Sequence, residues 1–233
     1  GHPAIRGKRA LLFDLFSTLV APDRTPNPYP PTWETLGVAK SAWRKQSFSA
    51  SHARVTGREK DPYRIVRSMA HAIDSTIPDD VIRIATEQRI ARFETILSAV
   101  PDQTLLVLTE LRRLGLRIAL VSNADCIETA AWDRSPLRSC FHHAVFSWRV
   151  GHAKPDPQIY RLCLAKVGTG ASDAVFIGDG GSDELSGASA VGMTTVFAKG
   201  LMPDLTPDEI ATREAVATFV IDDLAELVGT QNG

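Results

Sequence analysis

Polar side chains suited to chemistry follow several apolar segments of the chain, at points where strands would end. These residues are Asp14, Ser122, Asn123, Lys154, Asp179 and Asp183. The three carboxylates offer the hard oxygen ligands that Mg²⁺ prefers when it also binds a phosphate. A lysine would balance their negative charge, and a serine hydroxyl could donate a hydrogen bond to a phosphoryl oxygen. The residue types therefore indicate chemistry on an anionic substrate.

The elements that must bring these residues together alternate between strands and helices. Strand patterns occupy 10–13, 117–121, 142–148, 174–178, 193–198 and 217–222, and helical patterns occupy 101–116, the residues after Cys126, 156–168, 182–192 and 223–229. The strand segments are continuous apolar runs, which is typical of a parallel sheet covered on both faces. We therefore expect an α/β fold with a doubly wound parallel-sheet (Rossmann-like) core. Ligands of such a sheet bind at the carboxyl ends of its strands, where the polar residues lie.

A helical segment interrupts this core after the first strand. Five prolines between Ala21 and Trp33 exclude a helix or a central strand there and indicate a linker. The apolar periodicity of residues 32–97 then predicts helices throughout. We expect a core domain formed by 1–20 and 98–233, with a small α-helical domain at 21–97.

The composition excludes several classes of protein. The 233 residues carry a net charge of -1, which offers no electrostatic footprint for nucleic acid. The apolar runs are too short to span a membrane, and the N-terminus lacks the apolar region of a signal peptide. Cys126, Cys140 and Cys163 form no CxxC pair, so we expect reduced thiols without a catalytic role. A cytoplasmic protein without nucleic-acid or membrane partners is expected.

Each candidate residue, taken alone, also fits a structural role. Asp14 could cap a helix, and Asp183 could lie in the first turn of one. Ser122 could belong to an ordinary turn, and Lys154 could be a solvated loop charge. The functional interpretation therefore depends on the order of these residues and on their common placement at strand ends.

Four short motifs, in this order, resemble those of the haloacid dehalogenase-like (HAD) hydrolase superfamily. That family has an Asp after the first strand, a second Asp two positions on, and then Gly-Thr; here the segment reads DLFST (14–18). The second motif matches Ser122, and the third, a lysine before proline, matches Lys154. The fourth matches Asp179 and Asp183. The likeness covers essentially the whole chain.

The resemblance implies a role for each matching position, with 21–97 as the helical cap domain of that family. Asp14 would be a nucleophile that forms a covalent aspartyl intermediate, which water hydrolyses. Thr18 would orient the nucleophile loop, while Ser122 and Lys154 would hold the transferring group. Substrate-binding candidates are Phe16, Ser17, Asn123 and Arg44, and the ligands of Mg²⁺ would be Asp14, the backbone carbonyl of Phe16, Asp179 and Asp183.

Phe16 departs from the family's phosphatases, in which the second Asp protonates the leaving oxygen and then activates water. A phenylalanine can do neither, and the loss of this help would raise the barrier by about 3–5 kcal/mol. A good leaving group or an acid from the cap would reduce that cost. We favour a Mg²⁺-dependent phosphatase of a small phosphorylated metabolite, because Asp179 and Asp183 are both present.

Two other functions remain open. L-2-haloacid dehalogenases resemble this chain in having an aromatic residue at the position of Phe16, since a halide leaves without a proton, and they use no metal. The stretch SAWRKQSF (41–48) is similar to theirs, with Arg44 where an arginine binds the substrate carboxylate and the halide. Arg44 also fits a solvated helix position. The third alternative is a catalytically impaired ligand-binding protein. A monomer or a homodimer fits each function, and the candidates for substrate selection in the cap are Arg24, Tyr29, Trp33, Arg44 and Tyr63.

Overall fold

Six parallel strands form the centre of the molecule in a computed structural model, which describes residues 1–49 and 51–229. They are β1 (Ala10–Phe13), β2 (Arg117–Ser122), β3 (His143–Phe146), β4 (Ala174–Gly178), β5 (Thr194–Ala198) and β6 (Phe219–Ile221). Their order across the sheet is β3-β2-β1-β4-β5-β6, and every neighbouring pair is parallel. The predicted α/β Rossmann-like class is confirmed.

Ten α-helices accompany this sheet within the described ranges. They are α1 (Thr32–Thr35), α2 (Lys40–Ser49), α3 (His52–Val55), α4 (Pro62–Ile73), α5 (Asp79–Ser98), α6 (Asp102–Arg113), α7 (Ser147–Val150), α8 (Pro157–Val167), α9 (Glu184–Val191) and α10 (Pro207–Val216). No helix of the described chain has the length and apolar character needed to cross a bilayer.

The central strand β1 is buried on both faces, as its apolar sequence predicts. Leu11 and Phe13 pack in a cluster with residues of α6, whereas Leu12 packs in a second cluster with residues of α8 and α9. Successive side chains of a strand point to opposite faces, so helices cover both sides of the sheet. Burial on both faces explains why the strand shows no alternation of polar and apolar residues.

The segment between β1 and α6 is helical, as predicted, and contains α1 to α5. These helices bury a third apolar cluster that includes Trp43 of α2, Val66 and Met69 of α4, and Ile82 of α5. A helix as short as α1 or α3 cannot bury enough apolar surface alone, so packing between the helices must stabilise this unit. On this basis we propose the boundaries 21–97 for a cap domain.

Three local predictions differ from the structure. The residues after Cys126 form turns followed by 3₁₀ segments at Trp132–Arg134 and Pro136–Cys140, and no α-helix forms there. Asp125 accounts for this, because its Oδ1 accepts hydrogen bonds from the backbone of Ile127 and Glu128. The last predicted helix is a 3₁₀ turn at Leu224–Val228, and α10 was not predicted.

Candidate active site

Asp14 lies directly after β1, at the carboxyl edge of the sheet. Its backbone N–H donates to the carbonyl of Ile177, so the strand geometry continues up to this residue. A tight turn follows, in which Ser17 has a φ of 64° and its N–H donates to the carbonyl of Val20 at 2.7 Å. The turn brings the hydroxyl of Thr18 within 3.0 Å of Oδ2 of Asp14. Thr18 therefore orients this carboxylate.

Lys154 contacts Asp14 from the loop between α7 and α8. Its Nζ lies 2.6 Å from Oδ1 of Asp14 and 2.6 Å from Oε2 of Glu184. Asn123 fixes the backbone of the lysine, because its Nδ2 donates to the Lys154 carbonyl and its Oδ1 accepts from the Lys154 N–H. Although burial opposes the charge, the carboxylates of Asp14 and Glu184 raise the pKa of Lys154. The lysine therefore carries a positive charge beside the candidate nucleophile.

Three buried carboxylates meet at this edge: Asp14, Asp179 and Glu184. One oxygen from each can be chosen so that all three lie within 4.8 Å of one another. Burial and the charge of Asp14 raise the pKa of Asp179 and Glu184. Lys154 and Arg213, whose NH1 lies 3.1 Å from Oδ2 of Asp179, balance two of the three negative charges.

This donor set fits Mg²⁺. All three groups are hard oxygen donors, and a divalent cation between them would relieve the repulsion that raises their pKa values. Asp14, Asp179 and Glu184 would hold the ion. The predicted use of the Phe16 backbone carbonyl as a further ligand stays a prediction.

The structure differs from the sequence prediction at Asp183. This residue is exposed and lies outside the carboxylate cluster, whereas Glu184 is 2% exposed and belongs to it. Oε1 of Glu184 accepts a hydrogen bond from the N–H of Gly180. Gly178 makes room for this carboxylate, because a Cβ atom there would overlap with it. The adjacent acids in the sequence were the available signal, since either could have turned inward.

Ser122 ends β2 beside this cluster. It is 1% exposed, and its Oγ has no hydrogen-bond partner in the structure. A buried hydroxyl without a partner is costly unless a bound group satisfies it. The free hydroxyl is consistent with the predicted contact to a phosphoryl oxygen.

A cavity of about 400 Å³ opens above the carboxylates and extends to the cap helices. Its floor includes Asp14, Asn123, Lys154, Asp179 and Glu184, and its sides include Phe16, Ser17 and Arg213; α2 and α5 contribute Lys40, Trp43, Arg44, Arg89, Arg92 and Phe93. The ring of Phe16 contacts that of Phe93 edge to face at 5.5 Å between centroids. The cavity therefore brings together the predicted core residues and Arg44.

The remaining cap candidates divide into two groups. Trp33 lines the cavity, and Tyr29 lies in an adjoining recess that shares Trp33, Lys40 and Arg92 with it. Arg24 instead donates to two backbone carbonyls near residue 200. Tyr63 packs under Arg83 on the other side of the cap. Neither Arg24 nor Tyr63 lines the cavity.

A buried ion cluster joins the cap to the core. Arg54 of α3 lies 2.9 Å from Asp125 and 3.3 Å from Glu128, and Arg89 of α5 lies 3.0 Å from Glu128. Both acids come from the loop after β2. Sequence inspection did not identify this cluster, because its members are far apart in the chain and belong to no recognisable motif. The cluster places α5, and with it Arg89 and Arg92, over the cavity.

The parallel sheet, the carboxylates at its edge and the charged lysine define a class of α/β proteins with an aspartate-centred site. The sequence model of the haloacid dehalogenase-like hydrolases matches residues 8–192. The chain belongs to this family of hydrolases, as the four motifs predicted.

Comparison with known proteins gives two kinds of relative. The chain is 29% identical over 136 residues to a glyceraldehyde 3-phosphate phosphatase of Methanopyrus kandleri, covering 57% of this chain and 56% of that protein. It is 33% identical over 153 residues to a ribulose-1,5-bisphosphate 5-phosphatase of Halopiger xanaduensis, covering 64% and 63%. The chain thus spans less than two thirds of these relatives. A solved L-2-haloacid dehalogenase shares the fold, with a TM-score of 0.66 and 19% identity over 95% of this chain and 97% of that one.

Proposed function

We propose that this protein is a Mg²⁺-dependent phosphatase of a small phosphorylated metabolite, with Asp14 as its nucleophile. The observation that carries the proposal is the meeting of Asp14, Asp179 and Glu184 beside Lys154. Such an arrangement serves an anionic oxygen substrate, because a cation and a lysine can together balance a phosphate dianion and the carboxylates. The two curated phosphatase relatives support the same class of substrate. A cytoplasmic location and a monomeric or homodimeric state complete the proposal.

The reaction would proceed in two displacements. A carboxylate oxygen of Asp14 attacks phosphorus, the bond from phosphorus to the ester oxygen breaks, and an aspartyl phosphate forms. Water then attacks phosphorus, which releases inorganic phosphate and regenerates the carboxylate. Thr18 and Lys154 hold the carboxylate in position, and Ser122 donates to a phosphoryl oxygen. Mg²⁺, when bound, would offset the negative charge of the phosphoryl group and the carboxylates.

A second candidate is dehalogenase-like hydrolysis of a 2-haloacid. Phe16 lines the cavity beside Asp14, and Arg44 lines its cap side, as that chemistry would require. The argument against it is electrostatic. Asp179 and Glu184 lie close to Asp14 and would repel the charge of the nucleophile unless a cation lay between them. A halide leaving group gives these two carboxylates no function.

A paired assay tests the proposal. We expect phosphate release from acetyl phosphate or p-nitrophenyl phosphate in Mg²⁺ and its loss in EDTA, with no halide release from 2-chloropropionate. Asp14→Asn removes the nucleophile and should abolish turnover, whereas Asp133→Asn changes an acid outside the cavity and serves as the matched control. Halide release that persists in EDTA, without phosphate release, would replace this function by the second candidate.

A further inference from the structure

Cations without acidic partners line the cap side of the cavity. Lys40, Arg44 and Arg92 all lie on its wall. Among the residues that the structure describes, no carboxylate oxygen lies within the 4.0 Å ion-pair distance of these three side chains. This pattern differs from that at the floor, where Lys154 and Arg213 each contact a carboxylate.

The charges of the cap side do not cancel. Arg54 and Arg89 are balanced by Asp125 and Glu128 in the buried ion cluster. The three remaining cations face one remaining carboxylate on the cavity wall, that of Asp23. An excess of two positive charges is left in a partly enclosed space, where solvent screens charge less than on an open surface.

Arg92 is the member of this set that the fold holds most firmly. It is half-buried on α5, and its backbone carbonyl accepts a hydrogen bond from Nδ2 of Asn27 at 3.0 Å. Its NH1 donates to the carbonyl of Tyr29, which is a neutral acceptor. Burial and the neighbouring Arg89 lower the pKa of Arg92. A positive charge in this environment is stabilised when an anion binds it.

We propose that the substrate carries a second anionic group in addition to its phosphoryl group, and that Arg92, assisted by Arg44 and Lys40, binds this group. The inference rests on the proposed phosphatase function and defines its substrate class. Between the two charged ends, the aromatic rings of Phe16, Phe93 and Trp43 line the cavity and suit a short carbon skeleton. Carboxylate and phosphate share the chemistry that these cations recognise.

A matched series of three-carbon substrates tests the proposal: propyl phosphate, 3-phosphooxypropanoate and propane-1,3-diol bisphosphate. With Mg²⁺, we expect kcat/KM to be about tenfold or more higher for at least one of the doubly anionic compounds than for propyl phosphate. The difference between these two compounds identifies the second group as carboxylate or phosphate. Equal kcat/KM values across the series would overturn the inference.

Variants assign the preference to particular residues. Arg92→Gln and Arg44→Gln should each reduce the ratio of kcat/KM between the preferred compound and propyl phosphate, and Arg92→Lys should retain more of it because the charge remains. Lys45→Gln on α2 and Arg83→Gln on α5 change exposed cations of the same helices outside the cavity, so their ratios should stay at the wild-type value. A ratio that Arg92→Gln leaves unchanged contradicts the assignment.

Calorimetric binding to the unaltered protein separates this inference from the proposed function. If no member of the series releases phosphate, the phosphatase proposal fails. Tighter binding of the doubly anionic compound than of propyl phosphate, weakened by Arg92→Gln, would then still support the anion site. Equal binding of the two compounds would reject the anion site as well.

Discussion

Asp14 and Glu184 share one ammonium group, since Nζ of Lys154 lies 2.6 Å from an oxygen of each. These residues are 170 positions apart in the chain (184 minus 14) and are brought together by the parallel pairing of β1 with β4. One lysine cannot neutralise both acids. The additional carboxylate of Asp179 leaves the cluster with an excess of negative charge that a divalent cation would balance.

The first prediction concerns metal binding and compares two adjacent acids. Glu184→Gln should weaken Mg²⁺ binding by about tenfold or more, because it removes a charged ligand from the cluster. Asp183→Asn changes an exposed side chain and should leave binding at the wild-type level. Calorimetric titration of EDTA-treated protein measures both affinities without reference to turnover. Weaker binding in Asp183→Asn but not in Glu184→Gln would restore the ligand set expected from the sequence.

The sequence predicted the strands and their polar ends because continuous apolar runs in parallel sheets are distinctive. Asp14, Ser122, Lys154 and Asp179 accordingly lie at one edge. Glu184 was missed because its direction depends on a turn in which Gly180, Ser182 and Asp183 all have positive φ angles. The spacing of acids in a sequence does not specify such a backbone path.

Contacts between distant segments were equally inaccessible to sequence reasoning. The pattern of α5 predicts a helix, yet it does not indicate that Arg89 would contact Glu128 across the cap and core. The helix α10 has no buried residue and hence no apolar stripe to announce it, although its Arg213 contacts Asp179. Pairing of this kind follows from the tertiary arrangement rather than from local periodicity.

The second prediction concerns the buried ion cluster. Arg54→Met should lower the free energy of unfolding by about 3 kcal/mol, because it leaves Asp125, which is fully buried, without its guanidinium partner. Arg67→Met removes an exposed pair with Asp79 and should change stability little. Urea denaturation followed by circular dichroism compares the two variants. Equal stabilities would show that Glu128 and Arg89 hold the cap without Arg54.

The third prediction uses the pH dependence of thiol alkylation. Burial raises the pKa of Cys126 to about 11, above the usual value near 8.5. Below this pKa the reactive thiolate fraction increases about tenfold for each pH unit. The rate of iodoacetamide labelling at Cys126, followed by peptide mass spectrometry, should therefore still be increasing between pH 9 and 10. The urea-unfolded protein is the control and should level off earlier; a plateau in the folded protein near pH 9 would contradict the prediction.

The fourth prediction tests the missing proton donor. Phe16→Asp places a carboxyl group on the cavity wall beside Asp14, where it could protonate a leaving oxygen. We expect kcat for propyl phosphate to rise by at least about tenfold, below the full 10²–10⁴-fold range because the substitution also removes the contact with Phe93. The rate for p-nitrophenyl phosphate should rise less, since p-nitrophenolate leaves without a proton. Phe16→Leu removes the ring without adding an acid and controls for packing. An equal change for both substrates would indicate that another group already donates the proton.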